Sequence, residues 1–288
     1  MNQVLKYIAF LTIFYLCLNC LFNDINYSIN IELEFKIEDK KINKIRLFGD
    51  DFVLNNKKRK ILYNEKEYEI KEYLPITYAN KENQKIEIKL KEINKINSMK
   101  YMFCSCKFTS IKFSYKKPGT DSSVITNMHG MFYNCKELEE INLSQIDTSN
   151  VTDMGYMFYN CNKLKKIEGI EKFNTKKLVN MGRMFCCCKE LKSLDLSSFV
   201  TLNAIDMSFM FYKCKNLKKI IGISHFNTKQ VINMSFMFSN CEKLEFLDLS
   251  NFNISKVINM NNIFSECNTK KIKGVDKFFK NKITKINK

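Results

Sequence analysis

One skeleton, Met-x-x-Met-Phe-x-x-Cys-x-x-Leu, returns through most of this chain, and its fixed period constrains the fold more than any other feature. The first methionine stands at Met128, Met154, Met181, Met207, Met234 and Met260, at spacings of 26, 27, 26, 27 and 26 residues. The cysteine follows in register at Cys135, Cys161, Cys188, Cys214, Cys241 and Cys267. A degenerate copy from Met99 to Cys106 begins 29 residues before Met128 and brings the array to about seven units. A unit of this length cannot bury an apolar face alone, so its neighbours must cover it, and the period predicts a solenoid.

Within a unit, Met154, Met157, Phe158 and Cys161 fall at i, i+3, i+4 and i+7, the spacing of one helical face. Ser149, Thr152 or Asp153 is placed to cap the start of such a helix, and Asn160 lies where a left-handed residue is tolerated at its end. After Leu164 the period changes to two, and Leu191 to Ser197 reads as a short strand. The expectation is an α/β repeat solenoid, leucine-rich-repeat-like, with one short helix and one short parallel strand per unit. Units with a strand at Ile141, Leu194 or Leu247 alternate with units carrying Gly169 or Gly222, and the extra residue of the longer units travels with the glycine. A bulge or tight bend there would absorb it.

The chain divides into four parts. Residues 1–22 open with one lysine, continue almost wholly apolar from Ile8 to Leu18, and read as a signal peptide or membrane anchor; lipidation at Cys20 would need a small preceding residue, where Asn19 stands. Residues 23–85 lack the repeat and alternate in short strands, including Ile29–Ile37, Lys44–Phe48 followed by a turn at Gly49 to Asp51, and a hairpin over Arg59–Ile70. This segment is expected to be a small β-rich N-terminal cap, because a solenoid end needs a cover with a polar outer face. The array is expected over 86–275, with Ile86–Leu90 as its first strand, and 276–288 as a basic C-terminal cap or tail.

Composition narrows the partners. A net charge of +17 suggests an anionic ligand, but only three of the 47 basic residues are arginines, leaving 44 lysines. No arginine cluster with interleaved exposed aromatics is visible, which speaks against nucleic acid. Membrane contact is expected only through the N-terminal segment. The ladder cysteines read as small buried apolar residues, and stacked equivalents point the same way, which disfavours bridging. No catalytic fingerprint, cofactor motif or zinc-ligand spacing is present, and His129 and His225 have no recurring partner. The expectation is a protein that is not an enzyme and takes no cofactor or metal. Asn26, Asn142, Asn150, Asn233 and Asn253 are glycosylation sequons, relevant only in a glycosylating host.

The units, for example Asn150 to Leu164 and Leu194 to Phe199, resemble those of the BspA-like leucine-rich-repeat surface proteins, whose 26-residue repeat is also found in mycoplasma lipoproteins. The resemblance covers about residues 86–278 and implies a secreted or cell-surface adhesion or interaction module. The solvent side of the strands is the expected place for recognition of a protein or glycan. Between the buried strand residues lie Asn142, Glu168, Asp195, Ile221 and Asp248, and just upstream lie Glu140, Lys166, Ser193, Lys219 and Phe246. In a parallel ladder these become two adjacent columns of mixed charge, although Asp195 and Asp248 could simply hydrogen-bond the following turn. An intracellular basic scaffold binding nucleic acid or acidic lipid is the alternative.

Overall fold

The computed structural model describes residues 28–36, 44–75, 83–91, 96–115, 125–267 and 272–274, and in them the chain is mostly sheet and turn. The proposed leader over 1–22, the tail over 276–288, Cys17, Cys20 and Asn26 lie outside the described residues.

The N-terminal segment forms β1 (Ser28–Lys36), β2 (Lys44–Arg46), α1 (Asp50–Asn56), β3 (Lys60–Tyr63), β4 (Lys66–Glu69), β5 (Tyr73–Pro75) and β6 (Asn83–Lys91). Alternation in β1 sends Ile31 and Leu33 into the core. The β3–β4 hairpin turns at Asn64 and Glu65, with φ of 47° and 62°, the left-handed pair that matches strand twist in a two-residue hairpin. Where the sequence suggests a turn after Gly49, the chain instead makes α1, whose first turn holds Asp50 and Asp51 at the positive end of the helix dipole.

The strand expected to open the array belongs to this cap. β6, which contains Ile86–Leu90, pairs antiparallel with β1 along its whole length, Ile31 opposite Ile88. Alternation reveals a strand but not its direction or partner, which is why the sequence misplaces it. The first parallel strand is β7 (Ser110–Tyr115), which pairs antiparallel with β1 on one side and parallel with β8 (Glu140–Asn142) on the other. Cap and repeats therefore share one sheet of order β4-β3-β6-β1-β7-β8-β9, β9 being Lys166–Glu168. Two parallel pairs follow, β10 (Ser193–Asp195) with β11 (Lys219–Ile221) and β12 (Leu247–Asp248) with β13 (Ile272–Lys273).

Among the described residues the repeats contain no α-helix, contrary to the expectation from spacing; Met154 to Cys161 is a ribbon of linked turns. The N–H groups of Met157, Tyr159 and Cys161 donate to carbonyls three residues back, those of Met154 and Phe158 and, for Tyr159, that of Tyr156. The alternate N–H groups of Met154, Tyr156, Phe158 and Asn160 donate across to Asn180, Gly182, Met184 and Cys186 of the next coil. Tyr156 and Asn160 have φ of 58° and 60°, so a left-handed residue resets the chain every fourth position. A residue four apart thus returns to the same side, as in a helix, while half of the donors are directed outward. Gly155 N–H is satisfied by Asp153 Oδ1 at 2.8 Å, and Asn127, Asn180, Asp206, Asn233 and Asn259 make the same turn in their coils. The acidic or amide residue before each methionine is therefore an Asx turn, not a helix cap.

Inside the ribbon, the rings of Phe103, Phe132, Phe158, Phe185, Phe211, Phe238 and Phe264 stack in one column at 5.5–5.8 Å between centroids. Phe48 of the cap extends it onto Phe103 at 5.8 Å, with Phe52 behind. The thiols of Cys135, Cys161, Cys188, Cys214 and Cys241 donate to the carbonyl of the phenylalanine one coil back, Cys161 to Phe132 at 3.1 Å and Cys188 to Phe158 at 3.2 Å. All ten described cysteines are free, and burial pushes the ladder thiols up, Cys267 to about 11. The buried ladder thiols are inert filler.

The glycine bend is where the sequence places it. Gly169 and Gly222 have φ of 88° and 82° and lead into 3-10 turns at Ile170–Lys172 and Ile223–His225 that hold the additional residue. A Cβ on Gly169 would lie 2.3 Å from the Ser144 nitrogen, so the longer coil closes onto the shorter one before it. The same contact recurs from Gly222 to Ser197 and from Gly274 to Ser250, and it accompanies the pairings of β8 with β9, β10 with β11 and β12 with β13.

On the far side, buried Thr148, Thr175, Thr201 and Thr228 form a further ladder absent from the sequence reading. Thr175 Oγ1 accepts the Val200 N–H at 2.7 Å and donates to the Val200 carbonyl at 3.1 Å. Thr175→Val keeps the volume and removes both bonds, leaving buried backbone groups unpaired, so it should destabilise by about 1–3 kcal/mol. A urea midpoint displaced by that amount is the expected result; a change of under about 0.5 kcal/mol, the ordinary surface range, would contradict the ladder's role.

Candidate functional site

The parallel registers assemble the two expected columns. One runs Ser110, Glu140, Lys166 and, after a break, Ser193, Lys219, Phe246; the other runs Lys112, Asn142, Glu168 and then Asp195, Ile221, with Asp248 beside Lys273. Among the described residues no strand pairing joins β9 to β10, so the face is a series of short facets rather than one continuous ladder. Ser110, Lys112 and Lys273 were missed from sequence, the first two because the opening strand was placed too early.

The side chains divide by task. Asn142, Asp195 and Asp248 are partly buried, and their Oδ1 atoms accept the N–H of Ser144, Ser197 and Ser250 at 2.9–3.0 Å. Hydrogen bonds from Ser197 and Ser250 hold the two carboxyls below the usual range, with Lys273 adding to the effect at Asp248. These three residues close turns and offer little to a ligand. Glu140, Lys166, Glu168, Ser193 and Lys219 are exposed, Lys166 lying 3.7 Å from Glu168. Beside the face, ions pair from coil to coil, Lys163 with Glu137, Lys165 with Glu139 and Lys218 with Glu245, at 2.6–3.0 Å. Pairs this exposed contribute little to stability. Ile221 at 39% and Phe246 at 61% exposure are the apolar exceptions, and Phe246 bridges to Lys219 in the neighbouring coil.

The opposite, turn-ribbon side carries a stripe that spacing did not announce. His129 sits between Tyr101 and Tyr156, and the Arg183 guanidinium lies 5.2 Å from Tyr156 and 4.3 Å from Phe209, which stacks on Phe236 at 4.6 Å. Each of these side chains contacts one from a neighbouring coil, so the stripe reads as packing between coils. His129 has a partner of its own, its Nδ1 lying 3.1 Å from Asp153 Oδ1. Half-burial alone would raise the Asp153 carboxyl, but His129, the Gly155 N–H and Asn180 outweigh it and hold the group below its usual range. His225 ends a 3-10 turn. No cluster of three or more His, Cys, Asp or Glu side chains converges among the described residues.

The chain matches, over residues 74–186, 97–221 and 188–287, the family described as "Mycoplasma protein of unknown function, DUF285". It is similar to the crystal structure of a leucine rich cell surface protein from Faecalibacterium prausnitzii A2-165, at 21% identity, over 50% of this chain and 35% of that chain, with a TM-score of 0.35. A likeness at that score bears on neither fold nor function. No curated protein matches the chain.

The Asp153 geometry fixes a pH dependence. A folded-state value below the unfolded one means that Asp153 contributes stability that is complete above about pH 4 and lost as pH falls through the folded value. Asp153→Asn keeps the Asx turn, as Asn180 does one coil on, and removes this titration. The variant's unfolding midpoint should fall less than that of wild type between about pH 5 and pH 3; an unchanged slope in that window would contradict the assignment.

Proposed function

We propose, for a chain that belongs to the family described as "Mycoplasma protein of unknown function, DUF285", that it is a leucine-rich-repeat-like solenoid acting as a non-enzymatic recognition module at the cell surface or in secreted form. The observation that carries this reading is the division of the repeat into constant and variable positions. Methionine, phenylalanine, cysteine and leucine recur in register and are buried, whereas the strand columns change from coil to coil in charge, size and polarity. A stack held together from within leaves its strand face free to vary, and a few apolar anchors in a polar rim are what protein recognition requires. Phe246 and Ile221 supply the anchors, and Lys219, Glu168 and Ser193 the rim.

The apolar sequence of residues 1–22 supports export, with either release or retention at the membrane. The ligand class on this reading is a protein or glycan on a cell surface, met by a face that needs neither metal nor cofactor.

The test is surface plasmon resonance of the purified protein, without residues 1–22, over immobilised cell-surface proteins and glycans. A ligand of the strand face should lose about tenfold or more in affinity on Phe246→Ser or Ile221→Ser. Because both side chains are exposed, stability should change by no more than about 0.5 kcal/mol. Absence of any ligand sensitive to these substitutions would overturn the proposal.

A further inference from the structure

The fourth coil departs from the others at one place. The two residues between the stacked phenylalanine and the ladder cysteine are Tyr133-Asn134, Tyr159-Asn160 and Tyr212-Lys213 in the coils around it, but Cys186-Cys187 here. Cys188 is the ladder thiol, buried and donating to Phe158. The preceding pair is therefore surplus to the seam.

Their surroundings are fixed from both sides. The Cys186 carbonyl accepts the Asn160 N–H at 2.8 Å from the coil before, and the Cys187 N–H donates to Tyr212 at 2.7 Å in the coil after. Cys187 is the left-handed residue of its turn, with φ of 64°, and is half-buried at the ribbon surface, while Cys186 lies beneath it. The two sulfurs stand 3.7 Å apart. Lys213 takes the Cys187 position in the next coil, and Lys189 follows two residues on. The contact with the Cys186 sulfur, together with the two lysines, outweighs burial and lowers the Cys187 thiol from its usual range. Cys186, sharing the same contact and more deeply buried, is pushed up. The more exposed thiol is the one an external reagent can reach, and its buried neighbour lies in contact behind it.

We propose that Cys186 and Cys187 form a thiol–disulfide exchange site for external disulfides, with Cys187 as the attacking thiol and Cys186 as the resolving one. The Cys187 thiolate attacks one sulfur of R–S–S–R′, forming Cys187–S–S–R and releasing R′–S⁻. Cys186 then gives its proton to water and attacks the Cys187 sulfur, and R–S⁻ leaves. The two protein thiols are oxidised to a vicinal disulfide, and the external disulfide is reduced to two thiols. Adjacent α-carbons are about 3.8 Å apart, below the usual disulfide range of about 4.4–6.8 Å, so the bridge is strained and readily reopened by thiols. The site is a reversible couple rather than a structural staple.

The probe is oxidised glutathione, applied to the reduced full-length protein, with intact mass and peptide mapping as the readout. Wild type should lose two hydrogens, yield a linked Cys186–Cys187 peptide and retain no glutathione at this site. Cys186→Ser should trap one glutathione on Cys187, and Cys187→Ser should lose modification of this peptide. Both serines already occupy these positions elsewhere in the array, Ser239 and Ser105, so the variants should fold, which circular dichroism checks. Capture by the Cys186→Ser variant should be slower at neutral pH when Lys213→Asn is added. A stable adduct on wild-type Cys187, or a Cys187 that reacts no faster than buried Cys161, would overturn the proposal.

Discussion

Every second amide of the turn ribbon is bonded to the next coil, and the rest of the structure depends on that commitment. A helix satisfies its own backbone and can be packed afterwards. Here the N–H groups of Tyr156, Phe158 and Asn160 have no acceptor until Gly182, Met184 and Cys186 are in place, so a coil completes its hydrogen bonding only against its neighbour. The same stacking brings Phe158 over Phe132, the Cys161 thiol to the Phe132 carbonyl and the Thr175 hydroxyl to Val200. These ladders are parallel consequences of one register, and cooperation between neighbours rather than the stability of any unit holds the array together.

The same commitment makes an end costly, and the N-terminal segment answers it. Gly49 donates its N–H to the Met102 carbonyl, Phe48 continues the phenylalanine column, and β1 pairs with the first parallel strand. By running antiparallel to β7, β1 ends the parallel ladder while prolonging the sheet, and β6, β3 and β4 carry that sheet away from the repeats.

Much of this was legible in the sequence. The period, the buried seam of Met154, Met157, Phe158, Cys161 and Leu164, the two strand columns and the bend at Gly169 follow from residue type and spacing. The helix did not, because apolar residues at i, i+3, i+4 and i+7 suit a ribbon that resets every four residues as well as they suit an α-helix. The discriminating signs were Gly130 and Asn134, residues tolerant of positive φ four apart, with Asn160 and Asn240 at the place of Asn134 in later coils, and the Asx residue before the first methionine of each coil from Met128 on. Tyr156, Arg183 and Phe209 in left-handed positions concealed the pattern, since such residues avoid that region unless their surroundings impose it. The strand registers bring the two columns together, and the distances decide that Asp195 and Asp248 close turns. The Cys186–Cys187 pair was visible as letters, and only the fixed turn gives its two sulfurs a shared site.

The most direct test of the ribbon is residue-resolved hydrogen exchange by NMR under native conditions. The amides of Phe132, Phe158, Phe185 and Phe211, which reach across to the next coil, should exchange as slowly as those of the paired strands, because both open only when coils separate. Fast exchange at these phenylalanines, or contacts between residues four apart indicating a continuous helix from Met154 to Cys161, would contradict the account.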